Sequence, residues 1–257
     1  MVEGIEKFKE YFRDYNGNYI VIGGTACDII TEEEGFVPRA TDDIDIVLII
    51  EALHPAFVSK FWEFIKDGGY KIQQKDNDKR CCFRFKERQN VEFPRQIELF
   101  SRTPDFFSEE QLKHLTPIPV EEGLSYLSAI LLNDEYYSYT VEHSEFSNDI
   151  HFAKIEAMIC LKAFAFLSNR QRKEEGQEAR ERDILKHKYD VFRMIFLLGP
   201  DARFELPPSI LTDLQRFADL VKDDLPPRNI FKVNRFEEED MSRIFQQLLR
   251  NFGLSVQ

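Results

Sequence analysis

The sequence predicts an α+β protein: a mixed β-sheet with flanking helices over residues 1–150, then a helical bundle over residues 151–257. Three observations carry that reading. Strand-length apolar runs closed by glycine or proline recur in the first part, an alternating hairpin pattern spans residues 80–102, and four stretches of helical apolar spacing follow Phe152. With 257 residues, 43% of them apolar and 24 of them Phe, the chain has ample material for packed cores.

In chain order, Ile5, Phe8, Tyr11 and Phe12 share one helical face, and "NGN" ends that helix in a turn. "YIVI" reads as a buried strand, and "GGTACDIITEEEG" as a tight turn into a helix whose last turn is acidic. "DDIDIVLII" is rich in β-branched residues and long enough for a central strand. "ALHPAFVSKFWEFIKDGG" is an amphipathic helix closed by glycines. "RCCFRFKERQNVEFPRQIELFSR" folds back around "RQN" as an antiparallel hairpin, with Pro94 near an edge or a bulge. Between residues 115 and 150, "TPIPV" and "YYSYTVEHSEF" read as strands, while "GLSYLSAILL" fits either element type. "AKIEAMICLKAFAFL", "ARERDILKHKYDVFRMIFLL", "SILTDLQRFADLVKD" and "EEEDMSRIFQQLLRNF" are the bundle helices, joined by loops carrying Gly and Pro.

Composition narrows the function. A net charge of −12 opposes indiscriminate binding to nucleic acid, although a local basic patch can override the total. The four cysteines lack zinc or disulfide-framework spacing and read as reduced, mostly buried thiols. No stretch approaches the roughly 18 uninterrupted apolar residues of a membrane span. The opening "MVEGIEKFKEYF" lacks a secretory pattern, so a cytoplasmic protein with no membrane partner is expected.

The chemistry lies in residues 21–50. Side chains alternate along a strand, so Asp43 and Asp45 share a face, about 6 to 7 Å apart along the backbone, while Ile44 and Ile46 point to the core. Two carboxylates that close either raise one pKa or bind a cation. Magnesium, with phosphate oxygens completing its shell, is the economical choice. Gly23 and Gly24 let a phosphate approach the main chain at a helix start, where Thr25 adds a hydroxyl. Glu98, alternating between Ile97 and Leu99, is the expected third acid, and three acids can hold two magnesium ions. The bland alternative pairs Glu98 across the hairpin with Arg84, Lys86 or Arg95.

The glycine pair, then Thr41-Asp42-Asp43-Ile44-Asp45-Ile46, then an acid on a later strand resembles the DNA polymerase β-type nucleotidyltransferase superfamily. Within it, "GGTA" followed by "RATDDID" is most similar to the AbiEii/AbiGii-type toxin nucleotidyltransferases. That resemblance implies a nucleotidyltransferase-type sheet domain and an NTP substrate. It adds Arg39 and Thr41 to the nucleotide-binding set. It also matches Lys162 to a phosphate-binding lysine, and Asp190 to a catalytic or substrate-orienting acid. Read from the residues alone, Lys162 can equally snorkel to solvent, Lys154 competes with it, and Asp190 can simply pair with Lys186 one turn earlier. His143 and His187 read as ordinary surface or packing residues, and "NRQRKEEGQEARERD" as a solvated segment or a docking site.

The expected activity is magnesium-dependent transfer of a nucleoside monophosphate from an NTP to an acceptor hydroxyl. The resemblance implies tRNA or a protein side chain as acceptor, a toxin's growth arrest as outcome and an antitoxin as partner. Two alternatives stay open: an antibiotic-modifying nucleotidyltransferase acting on a small basic drug, and a nucleotide-binding protein of the same fold without turnover.

Overall fold

The computed structural model describes residues 3–39, 41–74, 80–102, 115–118, 127–177, 179–234 and 240–255. The chain divides into two compact units, Met1–Ile29 with Arg39–Lys154, and Ile30–Pro38 with Ile155–Gln257.

The first unit is built on a sheet. Strand β1 (Tyr19–Ile22) is buried along its whole length, and the chain turns at once into helix α2 (Gly23–Glu33). Strand β2 (Asp43–Leu48) alternates half-buried acids with buried isoleucines before becoming wholly apolar, as a central strand with one open end should. Around these lie β3 (Lys71–Gln74), β4 (Arg80–Lys86), β5 (Gln96–Ser101), β6 (Leu115–Ile118), β7 (Leu127–Leu131), β8 (Ser144–Ser147) and β9 (Ile150–Ala153). The sheet order is β3-β4-β5-β2-β1-β9-β8, with β7 pairing β5 and β6. Strand β2 runs antiparallel to β1 and parallel to β5, so the sheet is mixed.

One face of the sheet presents Tyr19, Val21, Ile44, Ile46, Phe85 and Ile97, all buried. Helices α1 (Ile5–Phe12) and α3 (Pro55–Asp67) cover it with rings: Phe8 and Phe12 meet Tyr19, and Phe61 meets Phe85 with centroids 5.5 Å apart. Each buried ring contributes roughly 1.5–3 kcal/mol. The apolar spacing read from the sequence is this layer. The opposite face carries the polar residues of β2, β4 and β5 beside buried Ile20, Ile22 and Val47.

Two local expectations change. "YYSYTVEHSEF" is not a strand throughout: helix α4 (Asp134–Glu142) precedes β8. Asn133 caps that helix through its side chain, which accepts from the Glu135 N–H. Tyr136, Tyr137, Tyr139 and Thr140 then bury one helical face. The aromatic and β-branched composition suggested strand, and the cap with helical spacing prevails. Pro94 lies in the connection before β5 rather than on an edge strand, buried, with its carbonyl accepting from Tyr70 Oη at 2.5 Å. "GLSYLSAILL" resolves as β7 at its end; its first residues and Pro119 and Val120 of "TPIPV" lie outside the described residues.

The second unit is helical: α5 (Ile155–Glu174), α6 (Glu181–Leu197), α7 (Pro208–Val221) and α8 (Met241–Phe252). Helix α5 packs on α6 and α7, and α8 on α6. The buried side chains include Phe166, Phe192, Phe217 and Phe252. Amides on α8 bond carbonyls at the end of α6 and just beyond it: Gln247 donates to Ile195 and Leu198, and Asn251 to Gly199 and Ala202.

Cys27 and Cys160 are buried thiols outside any disulfide, and burial, aided by Glu156, pushes the Cys160 thiol up. The side chains of Cys81 and Cys82 lie outside the described residues. Among the described residues, no helix is long and apolar enough to cross a membrane.

Candidate functional site

The antiparallel pairing of β1 with β2 places Ile22, the last residue of β1, opposite Asp45. The chain therefore leaves the sheet beside that carboxylate. Gly23 makes the exit with φ +74°, and a Cβ built on it would stand 2.0 Å from Asp45 Oδ2. A side chain there would be both strained and in the way of the acid. Gly24 is equally confined, since its Cβ would lie 2.7 Å from Thr41 Oγ1. The Thr41 hydroxyl oxygen is buried without a hydrogen-bond partner among the described residues.

Thr25 is fully buried, and its hydroxyl donates to the Asp43 carbonyl at 2.5 Å. The expected phosphate donor thus fastens the first turn of α2 to the start of β2. A Thr25→Val variant should lose about 1 kcal/mol. The urea midpoint, read at unchanged slope, checks this.

Asp43 and Asp45 lie on one face of β2, half-buried, in alternation with buried Ile44 and Ile46. Parallel pairing sets Asp43 against Gln96 and Asp45 against Glu98, so the acids of β2 and β5 occupy neighbouring positions on the same face. Asp42 belongs elsewhere: it pairs with Arg95 at 3.3 Å. Arg39 is exposed.

Glu98 is engaged. Arg84, its antiparallel register partner on β4, donates from Nη2 to Oε2 at 3.1 Å and brings Nε within 2.6 Å of Oε1. Gln96 donates to Oε1 at 2.6 Å. Of the three cations weighed for Glu98, the hairpin register selects Arg84. Sequence reasoning missed Gln96, although its place two residues before Glu98 on the same strand face was the available signal. Among the described residues, no three His, Cys, Asp or Glu side chains are grouped so as to hold a metal ion.

Lys162 and Asp190 belong to the helical unit. Both are buried, with Lys162 Nζ 3.4 Å from Asp190 Oδ2. Arg193 donates to Asp190 Oδ1 at 3.0 Å. Asp190 is thereby held by a cation from the facing helix and another one turn ahead, where the sequence suggested Lys186. Lys154 is half-buried, as is His187, and His143 stacks on Tyr139.

The fold and the site define an α+β protein that sets a pair of strand-borne carboxylates against a glycine turn. Comparison with family models gives no match, and comparison with curated proteins gives none. Among solved structures, the antibiotic-resistance factor ANT(2'')-Ia is similar with TM-score 0.38 and 13% identity, over 76% of this chain and 83% of that one. JHP933 from Helicobacter pylori is similar with TM-score 0.35 and 13% identity, over 95% of this chain and 85% of that one. At these values neither likeness bears on the chemistry, which rests on the residues themselves.

Proposed function

We propose that the chain is a magnesium-dependent nucleotidyltransferase, moving a nucleoside monophosphate from an NTP to an acceptor hydroxyl. The observation that carries the reading is the close approach of Gly23 to Asp45: a turn at positive φ is kept free of any side chain where a half-buried acid stands, two residues along the strand from a second acid on the same face.

The donor set suits the metal. Magnesium is held by one or two carboxylates, with water and substrate phosphates completing an octahedral shell, and Asp43 with Asp45 are such a pair. Glu98 is the proposed third acid, and the two-ion arrangement requires its release from Arg84. When bound there, magnesium would supply charge neutralisation on the triphosphate and a lowered pKa at the acceptor hydroxyl. The chain's own part is placement. The main-chain N–H groups at Gly23, Gly24 and Thr25, with Arg39 and the Thr41 hydroxyl, are assigned to the phosphates. Lys162 and Asp190 enter through the family resemblance, and their buried pairing also gives them a structural role.

The resemblance extends the proposal to a toxin with an antitoxin partner, and to tRNA or a protein side chain as acceptor; the alternative acceptor is a small basic antibiotic, which an acidic cleft suits. Each NTP, labelled at the α-phosphate, is incubated in turn with total tRNA, cell extract or an aminoglycoside panel, with magnesium or with EDTA. Label should move to one acceptor class with matching pyrophosphate release, and chelation should stop it. Nucleotide binding without pyrophosphate release in every arm, identical in wild type and an Asp43→Ala, Asp45→Ala double variant, would sink the enzyme reading in favour of a binder.

A further inference from the structure

Across three neighbouring strands, Arg84, Glu98 and Asp45 stand in register on one face of the sheet, with Gln96 and Asp43 one step along the same face. Three carboxylates share that face with one guanidinium bound directly to the middle acid. The Glu98 side chain is only 13% exposed, and both of its carboxylate oxygens accept a hydrogen bond, Oε2 from Arg84 and Oε1 from Gln96, with Arg84 Nε 2.6 Å from Oε1 as an ion-pair contact. A divalent cation bound to Glu98 would stand against the same carboxylate that the Arg84 guanidinium already contacts. The two cations therefore compete for one carboxylate.

Resting on the nucleotidyltransferase reading, we infer that Arg84 is a positioning residue: the resident counter-ion of Glu98, displaced when a divalent cation loads, and then turned on the same face toward the nucleotide's phosphates. Planar guanidinium groups suit bidentate contact with phosphate as well as with carboxylate. Loading of the metal and retention of the triphosphate are thereby coupled. Each ligand strengthens the other, because the metal frees the arginine and the phosphates give it a new partner. Without nucleotide, the Arg84–Glu98 pair weakens metal binding by holding the site in a form that cannot accept it.

The test is manganese binding, followed by electron paramagnetic resonance on the full chain, with and without an α,β-methylene NTP that cannot be turned over. Arg84→Gln should tighten nucleotide-free manganese binding about tenfold, and should reduce the further tightening that the nucleotide gives to the wild type. In a Glu98→Gln background the Arg84 change should have no effect, since the contested carboxylate is gone. Arg84→Lys, which keeps the charge but loses the fork, should shift affinity the same way by a smaller factor and serves if the glutamine variant does not fold. If the wild type binds manganese and Arg84→Gln binds it equally or more weakly, the competition is refuted while the enzyme reading survives. If neither binds manganese at millimolar concentration with nucleotide present, the nucleotidyltransferase reading fails and this inference fails with it.

Discussion

An Asp45→Asn variant is expected to keep the fold and lose nucleotidyl transfer by roughly a thousandfold. Asparagine preserves the size of the side chain beside Gly23, and position 45 is half-buried at the open end of β2, so unfolding free energy should move by no more than about 0.5 kcal/mol. What disappears is the charge, and with it one of the two oxygens that would grip magnesium. Asp42→Asn is the matched control. That acid pairs with Arg95 at a contact where both side chains are largely exposed, and its loss should leave the rate within a few-fold. Label transfer and pyrophosphate release measure the rate, and urea unfolding the stability. Equal rates for Asp45→Asn and Asp42→Asn would remove position 45 from the chemistry.

Asp190→Ala is expected to have the largest effect on stability, a loss of about 3–5 kcal/mol. The carboxylate faces two cations, and Lys162 is only 6% exposed, so deleting the acid strands an ammonium in the helical core. Replacing the pair together, Lys162→Met with Asp190→Leu, should recover most of that loss, because neither charge of the pair is left buried without the other and Arg193 retains a path to solvent. Urea midpoints at constant slope decide the matter. A double variant as unstable as Asp190→Ala would mean that the pair organises the unit in some other way than charge compensation.

The parts of the fold that could be read in advance are those where one local signal sufficed. "YIVI" followed by two glycines permits little besides β1 turning into α2, and the alternation of Asp43, Ile44, Asp45 and Ile46 is visible in the burial of β2. Signals that depend on a distant partner were not legible. Strand β9 is four residues long with His151 inside it, and its parallel pairing with β1 through Val21 and Phe152 leaves no local trace. The partner of Glu98 depended on register, which the turn sets and composition does not. Once Arg84 stands opposite Glu98, Arg95 falls to Asp42. For Asp190, the helical phase was readable but the facing helix was not, so Lys186 stood out where Lys162 and Arg193 are the neighbours.

The missing methyl at position 23 gives a way to sort kindred chains. With only hydrogens on that α-carbon the second acid can stand where it does; alanine or anything larger would evict it. Chains that keep this shape but carry a bulkier residue at the equivalent point should have given up the chemistry or rebuilt it around another acid, a division that can be made from their letters alone.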